Sequence, residues 1–365
     1  MYDCIGSPIS YGGLKLKNRI IFAPTTMGLP QKQYLQKLRD IAAGGCAMII
    51  IGDVPVGKGF LSLRSKKGFS YYQTLCRTVH EYDCRICAQL HQNDTNFSGM
   101  RKYIPGLITG KIQKSQLREL MNEGTGTYIS GLPQDQVRQI TASFGDAARL
   151  AVEAGFDMIQ VHGDRMCGSF SSAIFNKRRD CYGGSPENRA RFAVEAVSAV
   201  RKALPDIPID YKLAVRQEDP HYGNAGVLVE ELGTFVPLLE QAGVTSFHVT
   251  LADHSRLEDP IPPASHPWFS QEGCFLGFCD EVRKYTDLPI CGVGGLVHPD
   301  FVEEQLRSHR IDCAAMSRQL IADPAWVRKV LGQDPEKIHY CIRCNQKCLG
   351  GMYAHKGVHC IYEGR

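Results

Sequence analysis

The sequence predicts a closed (β/α)8 barrel, an α/β fold of eight parallel strands alternating with helices. Short apolar, β-branched runs alternate with longer stretches of helical period, which suits a parallel sheet with crossover helices. Eight such units follow at near-regular spacing without an obvious switch point, which favours closure over an open doubly wound sheet. The length, 365 residues, fits one such barrel with insertions.

In chain order, strands are expected at 18–23, 47–52, 85–90, 157–162, 209–215, 245–250, 288–293 and 312–317. Amphipathic stretches at 134–154, 187–204, 229–242, 274–286 and 299–307 lie between them. Before the second of these helices, Ser185 is a good N-cap, Pro186 suits the first helical position and Glu187 the first turn. The longest insertion, 91–128, is polar and Gly-rich and follows the third strand's C-terminal end, the side of such barrels that carries active sites. Beyond Pro335 the βα rhythm stops. The expected division is a barrel over 1–335 and a Cys-rich segment over 336–365 docked on it.

Composition removes several classes. Lys and Arg number 42 against 38 acidic residues, net +4, with no basic arm, which sets aside a charge-driven nucleic-acid binder. The longest apolar runs, such as Ala47-Met48-Ile49-Ile50-Ile51, are too short to span a bilayer. The opening Met1-Tyr2-Asp3-Cys4 lacks the charged and apolar regions of a secretory signal. Fifteen cysteines without an export signal point to a reducing, cytoplasmic setting, where thiols pack, react or bind metal.

The most specific motif is Cys341-x2-Cys344-x3-Cys348-x11-Cys360. Close turns let thiolates converge on one centre, and a distant fourth closes it. Zinc and an iron–sulfur cluster both use four thiolates. Zinc prefers paired Cys-x2-Cys knuckles, whereas this is a triplet plus one; four reduced cysteines without metal are the third alternative. Most of the other eleven cysteines fall in expected strands or helices, as small hydrophobes, and Cys84 and Cys87 read as structural despite their Cys-x2-Cys spacing.

Several runs resemble the old yellow enzyme flavoprotein family. They are Leu16-Lys17-Asn18-Arg19-Ile20-Ile21-Phe22-Ala23-Pro24, Ala88-Gln89-Leu90-His91, the stretch from Asn176 to Phe192, and Met316-Ser317-Arg318-Gln319-Leu320-Ile321-Ala322-Asp323-Pro324. The tail from Cys341 to Cys348 is similar to the cluster motif of the 2,4-dienoyl-CoA reductase branch. The resemblance covers nearly the whole chain in the right order and implies a barrel holding FMN, with a [4Fe-4S] cluster on Cys341, Cys344, Cys348 and Cys360. It implies that Pro24, Thr25 and Thr26 face the flavin ring and that Gln89 pairs with its pyrimidine edge, as an amide that both donates and accepts. Lys212 matches the cation that stabilises the anionic reduced flavin. Gly294, Gly295, Ser317 and Arg318 match the phosphate grip, where glycines admit close backbone approach and an Arg neutralises the anion.

The substrate side departs from the common pattern. Family members follow the fourth-strand His, here His162, with His or Asn three residues on and a proton-donating Tyr two further. Here Arg165 and Cys167 hold those places. The run His162-Gly163-Asp164-Arg165 resembles the bacterial bilirubin reductases, a branch of this group. An Arg gives charge-assisted hydrogen bonds to propionates and lactam carbonyls of a tetrapyrrole. Arg is a poor acid, which makes Asp164 or bound water the proton carrier. A purely structural Asp–Arg pair is the plain alternative. His254 lines up with an active-site His of the dienoyl-CoA branch, at a strand end where a lone His is otherwise an ordinary loop residue. The expected catalytic set is His162 and Arg165 to bind substrate, with Asp164 and His254 as acids.

The implied activity is reduction of conjugated C=C bonds, with a tetrapyrrole, bilirubin, as favoured substrate. The alternatives are an enoate, dienoyl-CoA or ketosteroid reductase, or a non-catalytic flavin and cluster electron-transfer module. Longer relatives continue into FAD- and NAD(P)H-binding domains, whereas no G-x-G-x-x-G unit occurs here. The favoured expectation is a separate flavodoxin-like or ferredoxin-like reductant, with FAD and NAD(P)H carried on that partner; a sequence that continues past Arg365 and direct use of the barrel by NADH are the alternatives.

Overall fold

The computed structural model describes residues 2–59, 61–94, 103–112, 120, 124–332 and 334–363. The short helix Asp3–Gly6 leads into an antiparallel hairpin of β1 (Ile9–Tyr11) and β2 (Leu14–Leu16). The parallel strands follow: β3 (Ile20–Phe22), β4 (Met48–Pro55), β5 (Arg85–His91), β6 (Met158–His162), β7 (Ile209–Arg216), β8 (Val227–Leu228), β9 (Ser246–Leu251), β10 (Ile290–Gly292) and β11 (Cys313–Met316). All but the two-residue β8, which pairs only with β7, form a ring in chain order. β11 returns to pair with β3 and closes the barrel. All eight expected barrel strands are present.

Their ends shift for local reasons. β3 starts at Ile20 because Asn18 turns the chain: its side-chain amide donates to Gly45 O at 2.8 Å and its Oδ1 accepts from the Ile20 amide at 3.1 Å. β10 stops at Gly292, before Gly294 and Gly295 turn the backbone with φ of 133° and 67°. The helices Gln134–Ala154 and Pro299–Arg307 match their sequence spans. The helix expected from 229 begins at Leu232, after a tighter turn over Val229–Glu231, and Gly243 at φ 115° ends it. The expected 274–286 helix contracts to Leu276–Arg283. Ser185 caps Pro186–Ala203 by accepting from the Asn188 amide, as its residue type predicts.

Two apolar bodies flank the strands. Inside, Met48, Ile50, Cys87, Met158, Cys291 and Cys313 form a plug completed by Tyr11 and Leu16 of the hairpin. Outside, helices pack on the ring through fully buried side chains such as Phe144, Phe192, Phe235 and Trp326, each worth about 1.5–3 kcal/mol of burial. Eight of the cysteines outside the tail are buried, Cys84 and Cys87 among them, as small apolar residues. Among the described residues, no helix is long and apolar enough to cross a membrane. Part of the insertion after β5 lies outside the described residues.

Candidate active site

Alternate residues of a strand face the same side. Gln89 and His91 on β5, Gln160 and His162 on β6, and Asp210 and Lys212 on β7 therefore form two storeys inside the barrel. The register aligns Gln89 with Gln160, Gln160 with Asp210, and His162 with Lys212.

In the lower storey Asp210, Gln160 and Gln89 are joined by hydrogen bonds, while His248 Nε2 beside them is without a partner among the described residues. Asp210 accepts from Tyr11 Oη at 2.7 Å, Ser246 Oγ at 2.7 Å and Gln160 Nε2 at 2.5 Å. Gln160 Oε1 in turn accepts from Gln89 Nε2 at 2.7 Å. A carboxylate only accepts, so it orients both amides in series and turns Gln89 Oε1 toward the mouth, where the Asp53 amide lies at 3.4 Å. Burial pushes the Asp210 carboxyl up to about 6, against the pull of these three donors. Burial and the Lys212 charge push His248 beside it down to about 3.

The upper storey is not saturated. His91 Nδ1 and His162 Nδ1 lie 3.2 Å apart, and His162 Nε2 is buried without a hydrogen-bond partner. Lys212 makes no hydrogen bond or ion pair among the described residues. Burial draws its ammonium below the ordinary lysine value, partly offset by Asp164 and Asp53. Burial, then Lys212, hold His162 well below the usual imidazole range. Asp53 reaches this storey from a bulge in β4 between Ile51 and Val54, where its φ is 55°. Its Oδ2 accepts from Thr26 Oγ1 at 2.5 Å. A Cβ on the preceding Gly52 would stand 3.3 Å from the Thr25 amide nitrogen and 3.6 Å from Gln89 Oε1, so the glycine keeps the space before Gln89 open.

Beside the storeys runs a carboxylate–imidazole–carboxylate line. His254, fully buried, meets Asp164 Oδ1 through Nε2 at 2.7 Å and approaches Asp94 Oδ2 through Nδ1 at 3.3 Å. Phe175 stacks on its ring at 5.4 Å, and Ser169 Oγ donates to Asp94 at 2.7 Å. Burial by itself would raise the Asp164 carboxyl, but the charge and hydrogen bond of His254, then Arg165 and His162, hold it well below the ordinary range. An ionised carboxylate accepts, which assigns the shared proton to His254 Nε2. Asp164 therefore pairs with His254, where a structural Asp164–Arg165 pair was the plain sequence alternative. Arg165, half-buried, makes no side-chain hydrogen bond or ion pair among the described residues. Cys167, in the tyrosine's place, is buried and its thiol is pushed up to about 12, so it is no acid near neutral pH.

The remaining residues expected at the site gather at the same end. Thr25 Oγ1 donates to Ala23 O at 2.9 Å, and it meets Ser317 Oγ at 2.7 Å, which ties the ends of β3 and β11 together next to Pro24. Gly294 and Gly295 lie against Phe275 and Arg343, and side chains there would clash at 2.8 and 2.9 Å. Arg318 leans to the tail, donating to Pro262 O at 2.8 Å and Asn345 Oδ1 at 2.7 Å. Cys341, Cys344, Cys348 and Cys360 line one recess with Arg318 and Arg343. Arg343 and Asn345 hold left-handed φ of 49° and 55°, which tightens the loop between the thiols. The tail is tied down by Cys341 N to Gln319 Oε1 at 2.8 Å and Val358 N to Met27 O at 2.7 Å.

Sequence reasoning missed Asp53, Asp94 and Gly52. Their one signal was position just past or at the end of a barrel strand, and that signal is shared by many loop residues.

A sequence profile of the NADH:flavin oxidoreductase / NADH oxidase family matches residues 5–336. This chain belongs to that family. The family's FMN is compatible with the site: an open space before an oriented Gln89 acceptor, and a buried Lys212 cation with no anion bonded to it among the described residues. A bilirubin reductase of Clostridium symbiosum (strain WAL-14163) is 62% identical over 366 residues, covering 100% of this chain and 98% of that protein. A bilirubin reductase of Mediterraneibacter gnavus (strain CC55_001C) is 32% identical, covering 97% of this chain and 56% of its own length. The chain thus spans nearly all of the first relative and about half of the second. Among solved structures, a 2-naphthoyl-CoA reductase complex shares the fold, with a TM-score of 0.80 at 23% identity, covering 100% of this chain and 57% of that one.

Proposed function

We propose that this chain is a flavin-dependent reductase of conjugated C=C bonds whose favoured substrate is bilirubin, taken to urobilinogen. The observation that carries the reading is Arg165, a guanidinium beside the Asp164–His254 pair with no side-chain hydrogen bond or ion pair among the described residues. The end-to-end 62% identity to the Clostridium symbiosum bilirubin reductase supports the same substrate. FMN, when bound, supplies the reducing equivalents for the double bond.

The chain's residues do the rest. Gln89 Oε1 accepts from the pyrimidine edge, and Lys212 offsets the negative charge of the reduced ring. Pro24, Thr25 and Thr26 line the ring, while Gly294, Gly295, Ser317 and Arg318 hold the phosphate. Arg165 grips a propionate or lactam carbonyl, and His162 polarises the conjugated system. With a proton on each ring nitrogen, His254 passes the one on Nε2 to Asp164 and is left neutral with its proton on Nδ1, and Asp164 delivers the transferred proton to the substrate carbon. The low affinity of Asp164 for protons makes it a strong acid once loaded. Asp94 orients His254 from the other ring nitrogen.

We assign a [4Fe-4S] cluster to Cys341, Cys344, Cys348 and Cys360. A single zinc bonded at about 2.3 Å sets its sulfurs about 3.8 Å apart. Among the described residues, the trio whose ligand atoms gather within 4.8 Å lies at the barrel mouth and contains no tail cysteine. A wider, multinuclear group suits the recess better. A separate cytoplasmic flavodoxin-like or ferredoxin-like donor, bearing FAD and NAD(P)H chemistry, would feed the cluster segment 336–365 on the barrel 1–335.

The test is an anaerobic single turnover: holoprotein reduced with dithionite, mixed with bilirubin, and followed by flavin and pigment absorbance against a protein-free control. Flavin reoxidation with matching pigment loss, abolished in Arg165→Met, is expected. Flavin that stays reduced with bilirubin but reoxidises with a simple enone assigns the site to another conjugated substrate. No response to either leaves electron transfer alone.

A further inference from the structure

Three side chains at the mouth, drawn from three strand ends, converge on one point. Among the described residues, Asp53, His91 and His162 bring three metal-ligating atoms within 4.8 Å of one another. The separations are 3.2 Å between the two Nδ1 atoms, 3.5 Å from His91 Nδ1 to Asp53 Oδ1, and 3.9 Å from His162 Nδ1 to the same oxygen. A tetrahedral ion with nitrogen and oxygen ligands at about 2.0–2.1 Å spaces them about 3.3–3.4 Å apart. The observed separations straddle that value, so an ion fits between the three atoms with shifts of a few tenths of an ångström.

The surroundings suit a ligand set. The β4 bulge and the left-handed φ of Asp53 aim its carboxylate back toward the ends of β5 and β6. Thr26 Oγ1 binds Oδ2, leaving Oδ1 turned to the histidines, which is the outer contact that orients a ligating carboxylate. The histidines come from adjacent strands, and their rings lie 5.4 Å apart. The Asp53 side chain is 44% exposed, against 16% and 7% for His91 and His162, so the trio opens outward through its carboxylate. Lys212 and Arg165 nearby are balanced by Asp164 and Asp53 itself, so the local field does not repel a dication outright.

We propose that Asp53, His91 and His162 form a binding site for a divalent transition-metal ion of the zinc type at the mouth of the barrel. Two imidazoles and a carboxylate leave the fourth position open to water or to an anionic ligand. His162 also serves the substrate, so the ion excludes the conjugated substrate. That exclusion rests on the proposed function; the binding does not.

The experiment uses holoprotein, with flavin and cluster in place. Zinc binding is counted by equilibrium dialysis and metal analysis, and the ligand shell is read by zinc X-ray absorption. One saturable zinc per chain is expected, with nitrogen and oxygen neighbours at about 2.0–2.1 Å and no sulfur at about 2.3 Å. Asp53→Asn and His91→Gln, with unchanged flavin content and circular dichroism, are expected to weaken it at least about 10-fold, and Thr26→Val by about 10-fold or more through the lost outer contact. A sulfur shell, or zinc affinity unmoved by both Asp53→Asn and His91→Gln, overturns the site. With the site established by that shell, zinc should raise the KM for bilirubin without lowering kcat. A nitrogen and oxygen site that leaves the KM unchanged upholds the metal and overturns the reading of this mouth as the substrate site.

Discussion

Gln160 and His162 stand two residues apart on one strand and face the same interior, yet their surroundings differ completely. Around Gln160 the carboxylate and both amides are joined in one chain: Tyr11, Ser246 and Gln160 itself converge on Asp210, and Gln89 completes it, with His248 Nε2 the neighbouring atom left without a partner among the described residues. Around His162, a ring nitrogen, the Lys212 ammonium and the Arg165 guanidinium have no hydrogen-bond partner among the described residues. A buried polar group without a partner costs about 1–3 kcal/mol, so a storey left in that condition is one built to receive something else. The lesson is that polarity inside a barrel does not mark a site; unsatisfied polarity does. The lower storey is scaffold whose one contribution upward is the orientation of Gln89.

The contrast can be broken by substitution. Asp164→Asn or His254→Gln in the line beside the upper storey should lower bilirubin turnover about 10²–10⁴-fold with flavin content unchanged, by stopped-flow rates. The same Asp164→Asn change should alter acid stability in a defined direction. The folded Asp164 lies below the ordinary carboxylate value of 3.8, so its stabilisation is complete above that pH and lost as pH falls below it. The variant should show a flatter acid limb in denaturant melts. Lys212→Met should follow, with turnover down about 10²-fold as an electrostatic contact is removed, and the flavin midpoint potential lowered.

Changes in the lower storey should move stability instead. Asp210→Asn should cost about 1–3 kcal/mol by denaturant unfolding, since three donors lose a full acceptor, while turnover stays within a few-fold. The folded carboxyl titrates at about 6 against an ordinary 3.8, so the native state binds the extra proton between those values. The Asp210 contribution to stability therefore declines as pH rises through that window, and the variant should lose that slope. Tyr11→Phe should give the smallest effect, about 0.5–1.5 kcal/mol, as one donor leaves the carboxylate. A fall in turnover larger than the fall in stability for Asp210→Asn would show that the orientation of Gln89 matters more than the scaffold.

Much of this was legible before any coordinates. Each barrel strand carries a local apolar, β-branched run, and Ser185 with Pro186 marks a helix start by chemistry internal to four residues. The four tail cysteines also announce themselves by spacing. His162, Asp164, Arg165 and His254 stand out as candidates because they sit in strand-end runs that resemble a known family. Asp53, Asp94 and Gly52 were not, because each acts through partners distant in sequence. Asp94 lies 75 residues from the Ser169 that binds it, and Asp53 becomes a mouth residue only through a bulge that local pattern does not announce.

The sequence by itself determined the order of strands and helices, their closure into a ring, and the chemistry available at the strand ends, since periodicity and turn residues act over a few positions. Only the tertiary structure decided which of those groups meet. It paired Asp164 with His254 instead of Arg165, leaned Arg318 toward the tail, and separated a hydrogen-bonded storey from an unsaturated one. Those outcomes depend on strand register across the barrel, where a shift of one residue exchanges inside for outside. No local pattern carries that information.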